Sequence, residues 1–277
     1  MFLLSNVVTR SSCKRVALIV LSAVLLGALS ACSSGGEADS LVAPSSESPT
    51  QPPPPSEPPT EQPPPSPRTA RIMPLGDSIT ASSTGLPSYR YYLWKLALAR
   101  GYQIDLVGSR RGVLDGPPLH TDFDMDHEGH GGFEADEILV RLEEWSTQAR
   151  PDFVLIHLGT NDLCHNQTVQ STVNELGAII DTLRETNAHV GILLAQIIAS
   201  AHPCHVRIPE LNAGLPALAA AKTLPLSPVV IVDQFTNFDP SVMTYDRFHP
   251  NAAGESQMAD RWFAALSPLL DAFFSAP

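Results

Sequence analysis

Five short apolar runs alternating with helical periodicity constrain this chain more than any other feature. Residues 71–75, 104–107, 153–158, 190–197 and 229–232 are mostly continuous apolar segments. A strand with one wet face alternates polar and apolar residues, so an unbroken run belongs to a strand covered on both faces. Helical patterns occupy residues 89–100, 135–145, 169–186, 209–220, 252–263 and 267–274. This alternation predicts an α/β domain over residues 70–277, with a five-stranded, doubly wound parallel sheet and helices on both faces. The segment 109–133 is the longest irregular stretch.

The first 69 residues lie outside that pattern. Arg10, Lys14 and Arg15 precede an apolar stretch over 16–29, too short for a secure membrane span and placed as in a secretory signal. Residues 1–31 are therefore expected to be a signal peptide. The run Leu29-Ser30-Ala31-Cys32 resembles a bacterial lipobox, which implies a lipid on Cys32 and an extracytoplasmic protein, membrane-anchored or secreted. Residues 32–69 form the expected linker. Twelve prolines fall in residues 33–69, with no aromatic side chain, and such a segment cannot bury enough apolar surface to offset chain entropy.

The net charge is −12, and the signal contributes only basic residues. That excess disfavours nucleic acid and anionic surfaces as partners and is compatible with a neutral polysaccharide. Of the four cysteines, Cys164 and Cys204 remain in the domain, both just beyond expected strand ends. A disulfide between them suits an oxidising compartment; two free thiols are the alternative. With no C-x-x-C pattern, structural zinc is not expected, and a monomer is.

Three short runs carry the chemistry. Gly76-Asp77-Ser78-Ile79-Thr80 follows the first strand, placing Ser78 at the carboxyl edge of the sheet, where open α/β folds put their sites. Ser78 is the expected nucleophile; its other reading is a helix cap. Near the end, Asp246 and His249 stand three residues apart, so one turn brings them together: His249 as base, Asp246 as its orienter. Asn161, in Gly159-Thr160-Asn161-Asp162, and Gly132 are expected to donate to an oxyanion together with the Ser78 N–H. Asn161 also suits a turn, and Gly131 competes with Gly132.

Other polar residues read as structural. The carboxylates of 122–128 alternate as in a calcium loop, but His127 and Phe133 occupy positions that need glycine and glutamate, so a solvated acidic loop is expected. His157 lies inside a strand and reads as a hydrogen-bonded core residue. Tyr89, Tyr91, Tyr92, Trp94 and Trp145 fall in helical patterns and are expected to pack.

Together these runs resemble the SGNH (GDSL) hydrolase superfamily, with Ser78, Gly132, Asn161 and His249 as its four marker residues and Asp246 completing a triad. Met73 to Thr80, Glu128 to Phe133, His157 to Asp162 and His249 to Gly254 look like the acetylxylan-esterase-like branch, carbohydrate esterase family 3. The resemblance implies a flavodoxin-like three-layer α/β/α sandwich and a Ser-His-Asp acyl-enzyme mechanism without cofactor or metal. It also implies an acetylated, xylan-like polysaccharide as substrate. Gly131 and Phe133 depart from the branch's usual proline or serine and tryptophan. Lipid or thioester acyl groups are the rival substrates, and a catalytically silent glycan-binding lipoprotein is the rival class.

Overall fold

The computed structural model describes residues 68–276. The expected signal, Cys32 and all but the last two residues of the expected linker lie outside the described residues.

Seven strands form one sheet: β1 (Ala70–Gly76), β2 (Ile104–Leu106), β3 (Arg110–Arg111), β4 (Asp126–Gly129), β5 (Phe153–His157), β6 (Gly191–Gln196) and β7 (Val229–Asp233). The helices are α1 (Ser78–Ala81), α2 (Tyr89–Ala99), α3 (Ala135–Ala149), α4 (Thr160–Cys164), α5 (Val169–Thr186), α6 (Ile208–Lys222), α7 (Pro240–Met243) and α8 (Ala252–Ser275). The order β3-β4-β1-β5-β6-β7 puts β1 inside the sheet, and β2 also pairs with β1.

Side chains of the central strands alternate between two cores. Met73, Leu75, Val154, Ile156, Ile192 and Leu194 pack with apolar residues of α3, α5 and α6. Ile72, Phe153, Leu155, Leu193 and Ala195 pack on the other face with α2 and α8. Two apolar faces at a period of two residues produce the mostly continuous apolar runs of the sequence.

The five expected strands form, but the sheet holds two more. β2 pairs with the first half of β1, from Ala70 to Ile72, and β4 takes over the same edge at Leu75 and Gly76. β3 then adds antiparallel to β4. Segment 109–133 is therefore partly strand. Its strand character is hidden because Asp126, His127 and Glu128 carry no apolar pattern, and backbone pairing with polar side-chain bonds secures it instead. Glu128, fully buried, accepts from the Ser109 N–H (2.7 Å), the Ser109 hydroxyl (2.6 Å) and His130 Nε2 (2.5 Å).

The expected solvated acidic loop is corrected by the same contacts. Besides Glu128, Asp124 accepts the Leu106 N–H at 2.7 Å, and Asp122 and Asp126 pair with Lys95 and Arg111 at 2.6 and 2.9 Å. A second correction concerns the C-terminus, where the two expected helices are one. α8 runs through Pro268 because Leu266 and Leu270, both fully buried, anchor it on either side of the missing N–H.

Candidate active site

The site is built at the carboxyl ends of β1, β4 and β5. Gly76 pairs with Gly129 on one side and His157 on the other. A Cβ at Gly76 would collide with the His157 carbonyl and the Thr80 hydroxyl, so glycine is what lets these strand ends close up. The next residue, Asp77, caps α1: its Oδ1 accepts the Ile79 N–H at 2.9 Å. With the cap supplied by Asp77, the Ser78 hydroxyl is free and lies 2.9 Å from His249 Nε2. Burial pushes the Asp77 carboxyl up to about 6, opposed chiefly by that same Ile79 N–H.

Arg90 braces the turn from behind. Its fully buried guanidinium donates to the carbonyls of Thr80 (2.9 Å), Ala81 (2.9 Å), Gly112 (2.6 Å) and Met125 (2.8 Å). One cation thus ties the end of α1 to the chain leading into β4. Burial lowers its pKa to about 10, so it keeps its charge at neutral pH.

The partner turn precedes α8. Asp246 Oδ2 lies 2.6 Å from His249 Nδ1, and Oδ1 accepts the backbone N–H groups of His249 (2.7 Å) and Phe248 (3.2 Å). Partial burial pushes the Asp246 carboxyl up, but the bond to His249 and the two N–H groups outweigh it and leave the group below its ordinary range. Arg247 supplies the bend with φ of 86°, a left-handed conformation costly for a side chain with a Cβ. Tyr245 stacks parallel to the imidazole at 5.7 Å between ring centres, and Phe248 packs against it at 3.8 Å.

Gly132 and Asn161 reach the same strand ends by separate routes. The Phe133 N–H donates to the His130 carbonyl at 3.2 Å, closing a turn whose third residue is Gly132 with φ of 81°. That is the turn position reserved for a residue without a Cβ. Neighbouring Gly131 has a different constraint, since a Cβ there would strike Leu114. Asn161, in the first turn of α4, donates from Nδ2 to the Phe133 carbonyl at 2.9 Å. This fixes its amide against the Gly132 loop and leaves its second N–H for another acceptor. Ser78 opens α1, so its N–H has no helical acceptor, and the Gly132 N–H meets none among the described residues.

A serine at a strand end, an imidazole on its hydroxyl and a carboxylate behind the imidazole agree with what the sequence matches. Residues 75–256 match the GDSL-like Lipase/Acylhydrolase family. The chain belongs to that family. A multidomain esterase from Ruminococcus flavefaciens is 26% identical over 230 residues, covering 74% of this chain and 29% of the relative, so this chain spans under a third of that protein. Among solved structures, a carbohydrate esterase family 3 protein from Talaromyces cellulolyticus superposes with TM-score 0.67 at 28% identity, covering 73% of this chain and 99% of that one. A family 3 carbohydrate esterase from Clostridium thermocellum gives 0.65 at 29%, covering 75% and 100%.

In this GDSL-family chain the other sequence-marked residues are structural. His157 is fully buried and Nε2 accepts the Ile198 N–H at 3.2 Å; burial lowers its pKa to about 4. Tyr89 and Trp145 are buried, and Tyr91 stacks on His120 at 3.8 Å. Cys164 and Cys204 are joined as a disulfide with Cα atoms 4.8 Å apart. Asp162, beside Asn161, accepts the Ala135 N–H at 3.1 Å at the start of α3. Burial raises its carboxyl to about 7, with that N–H the main opposing contribution. Sequence reasoning passed over Arg90, Tyr245 and Phe248. An arginine among the apolar positions of α2, and aromatics flanking the Asp-x-x-His pair, were the available signals.

Proposed function

We propose that this chain is a serine esterase that removes O-acetyl groups from polysaccharide, xylan-like chains foremost. The observation that carries the reading is the line of contacts from Ser78 Oγ to His249 Nε2 (2.9 Å) and from His249 Nδ1 to Asp246 Oδ2 (2.6 Å). Ser78 Oγ attacks the acetyl carbonyl as His249 Nε2 takes its proton. Asp246, held ionised, accepts from Nδ1 and stabilises the imidazolium. The oxyanion is bound by the N–H groups of Ser78 and Gly132 and the second amide N–H of Asn161. His249 then gives its proton to the departing sugar oxygen. Water, activated by the same imidazole, attacks the acetyl-serine and releases acetate, restoring the Ser78 hydroxyl.

A small cavity of about 10 Å³, lined by Ser78, His249, Ile79, Leu86 and Tyr245, adjoins the nucleophile and supports the reading of a short acyl group. The test is a series of acyl esters on one leaving group, alongside acetate release from acetylated polysaccharides. Acetate esters should be fastest, butyrate slower by about 10–200-fold per decisive methylene, and octanoate barely turned over. Octanoate rates equal to acetate would transfer the reading to lipid or thioester substrates and leave Ser78 and His249 in their roles.

A further inference from the structure

The loop after β6 and the end of α4 bring together a set of side chains that the ester chemistry does not use. Cys164, His202, Cys204 and His205 offer two sulfur and two nitrogen atoms, all within 4.8 Å of one another. His205 Nε2 lies 2.8 Å from Cys164 Sγ, and His202 Nδ1 lies 2.9 Å from Cys204 Sγ.

His205 is only 3% exposed. Ser200 Oγ lies 2.6 Å from its Nδ1 and 3.2 Å from the Arg247 carbonyl, and accepts the His202 N–H at 3.1 Å. The other ring nitrogen, Nε2, faces Cys164 Sγ.

We propose that in the dithiol state these four residues form a binding site for one soft divalent transition cation of the zinc class. Two thiolates and two imidazoles are the tetrahedral set that such a cation takes in closed sites. Bond lengths of about 2.3 Å to sulfur and 2.0–2.1 Å to nitrogen require ligand atoms about 3.3–3.8 Å apart. Once the disulfide is cleaved the two sulfurs must separate to that distance, the two Cys–His pairs widen from 2.8 and 2.9 Å, and the widest separation, at most 4.8 Å, contracts. Ser200, receiving Nδ1–H of His205, orients the ring as outer partners of metal-bound histidines do. The site opens when a thiol reductant transfers two electrons to the Cys164–Cys204 bond: two protein thiols form and the reductant becomes a disulfide. Binding then releases the two thiol protons to solvent.

Cobalt(II) is the probe. The full chain, reduced with a phosphine and followed by circular dichroism, should take up one equivalent, with thiolate-to-cobalt charge transfer and the intense visible bands of tetrahedral coordination, and release it to zinc. The oxidised chain should show neither band. His202→Ala, which leaves both cysteines in place, should weaken uptake by at least about 10–100-fold, the loss that even an outer partner causes. If reduction unfolds the chain, cobalt added during refolding should restore both fold and spectrum. Failure of the reduced or refolding chain to take up cobalt overturns the site, as does uptake that survives Cys164→Ser together with Cys204→Ser.

Discussion

The two halves of the candidate active site are held by opposite physics. Ser78, Gly132 and Asn161 sit on strand ends backed by buried polar groups, and the carboxylates there, Asp77 and Asp162, are pushed up by burial to about 6 and 7. Asp246 and His249 sit on a turn nearer the surface, and there hydrogen bonds overcome burial and leave Asp246 below its ordinary range. The strand-end half is held by buried groups that have few alternative partners. The turn half is set locally, by an Asp-x-x-His spacing, a left-handed Arg247 and two flanking rings. Where a carboxylate serves as a cap it can be buried at a cost; where it must stay ionised beside a base, several donors surround it.

The comparison can be broken at four points. The largest effect is expected from Ser78→Ala, on the order of a 10⁶-fold loss in kcat, as for a triad serine. Asp77 supplies the cap, so the melting temperature should hardly move, and a variant that keeps wild-type turnover would refute the nucleophile. Next comes Arg90→Met, which orphans four carbonyls and leaves Glu255 without its buried cation. Chemical denaturation should show a loss of about 3–5 kcal/mol; a change under one kcal/mol would mean the strand-end half does not depend on that clamp.

Asn161→Ala should lower kcat by about 10²–10³-fold with little change in KM, because the oxyanion bond strengthens in the transition state. An effect confined to KM would reassign Asn161 to ground-state binding. The smallest effect is expected from Asp162→Asn, and it depends on pH. The folded-state pKa of about 7 exceeds the ordinary 3.8. The native protein therefore holds a proton that the unfolded chain has released across this window, and wild-type stability falls as pH rises through it. Asparagine carries no such penalty. It should gain about 1–3 kcal/mol over wild type above pH 7, and the gain should vanish near pH 4. Equal urea midpoints at both pH values would show that Asp162 is not held protonated.

The sequence alone determined whatever depends on local spacing or on burial of whole faces. Mostly continuous apolar runs identified β1, β2, β5, β6 and β7, because a strand covered on both sides is apolar at most positions. Ser78 was legible as a strand-end serine, and the Asp246–His249 pair as a single turn. Tertiary structure alone decided β4, a strand of charged residues with no periodicity to betray it, held by backbone pairing to β1 and by the bonds of Glu128. With β4 came the placement of Gly132 beside Ser78, since the register Gly76↔Gly129 brings a residue 54 positions later in the chain to the same sheet edge. The clamp by Arg90 and the small cavity against Ser78 belong to the same class. Each arises from contacts between segments far apart in sequence, where the partner and not the residue type sets the role.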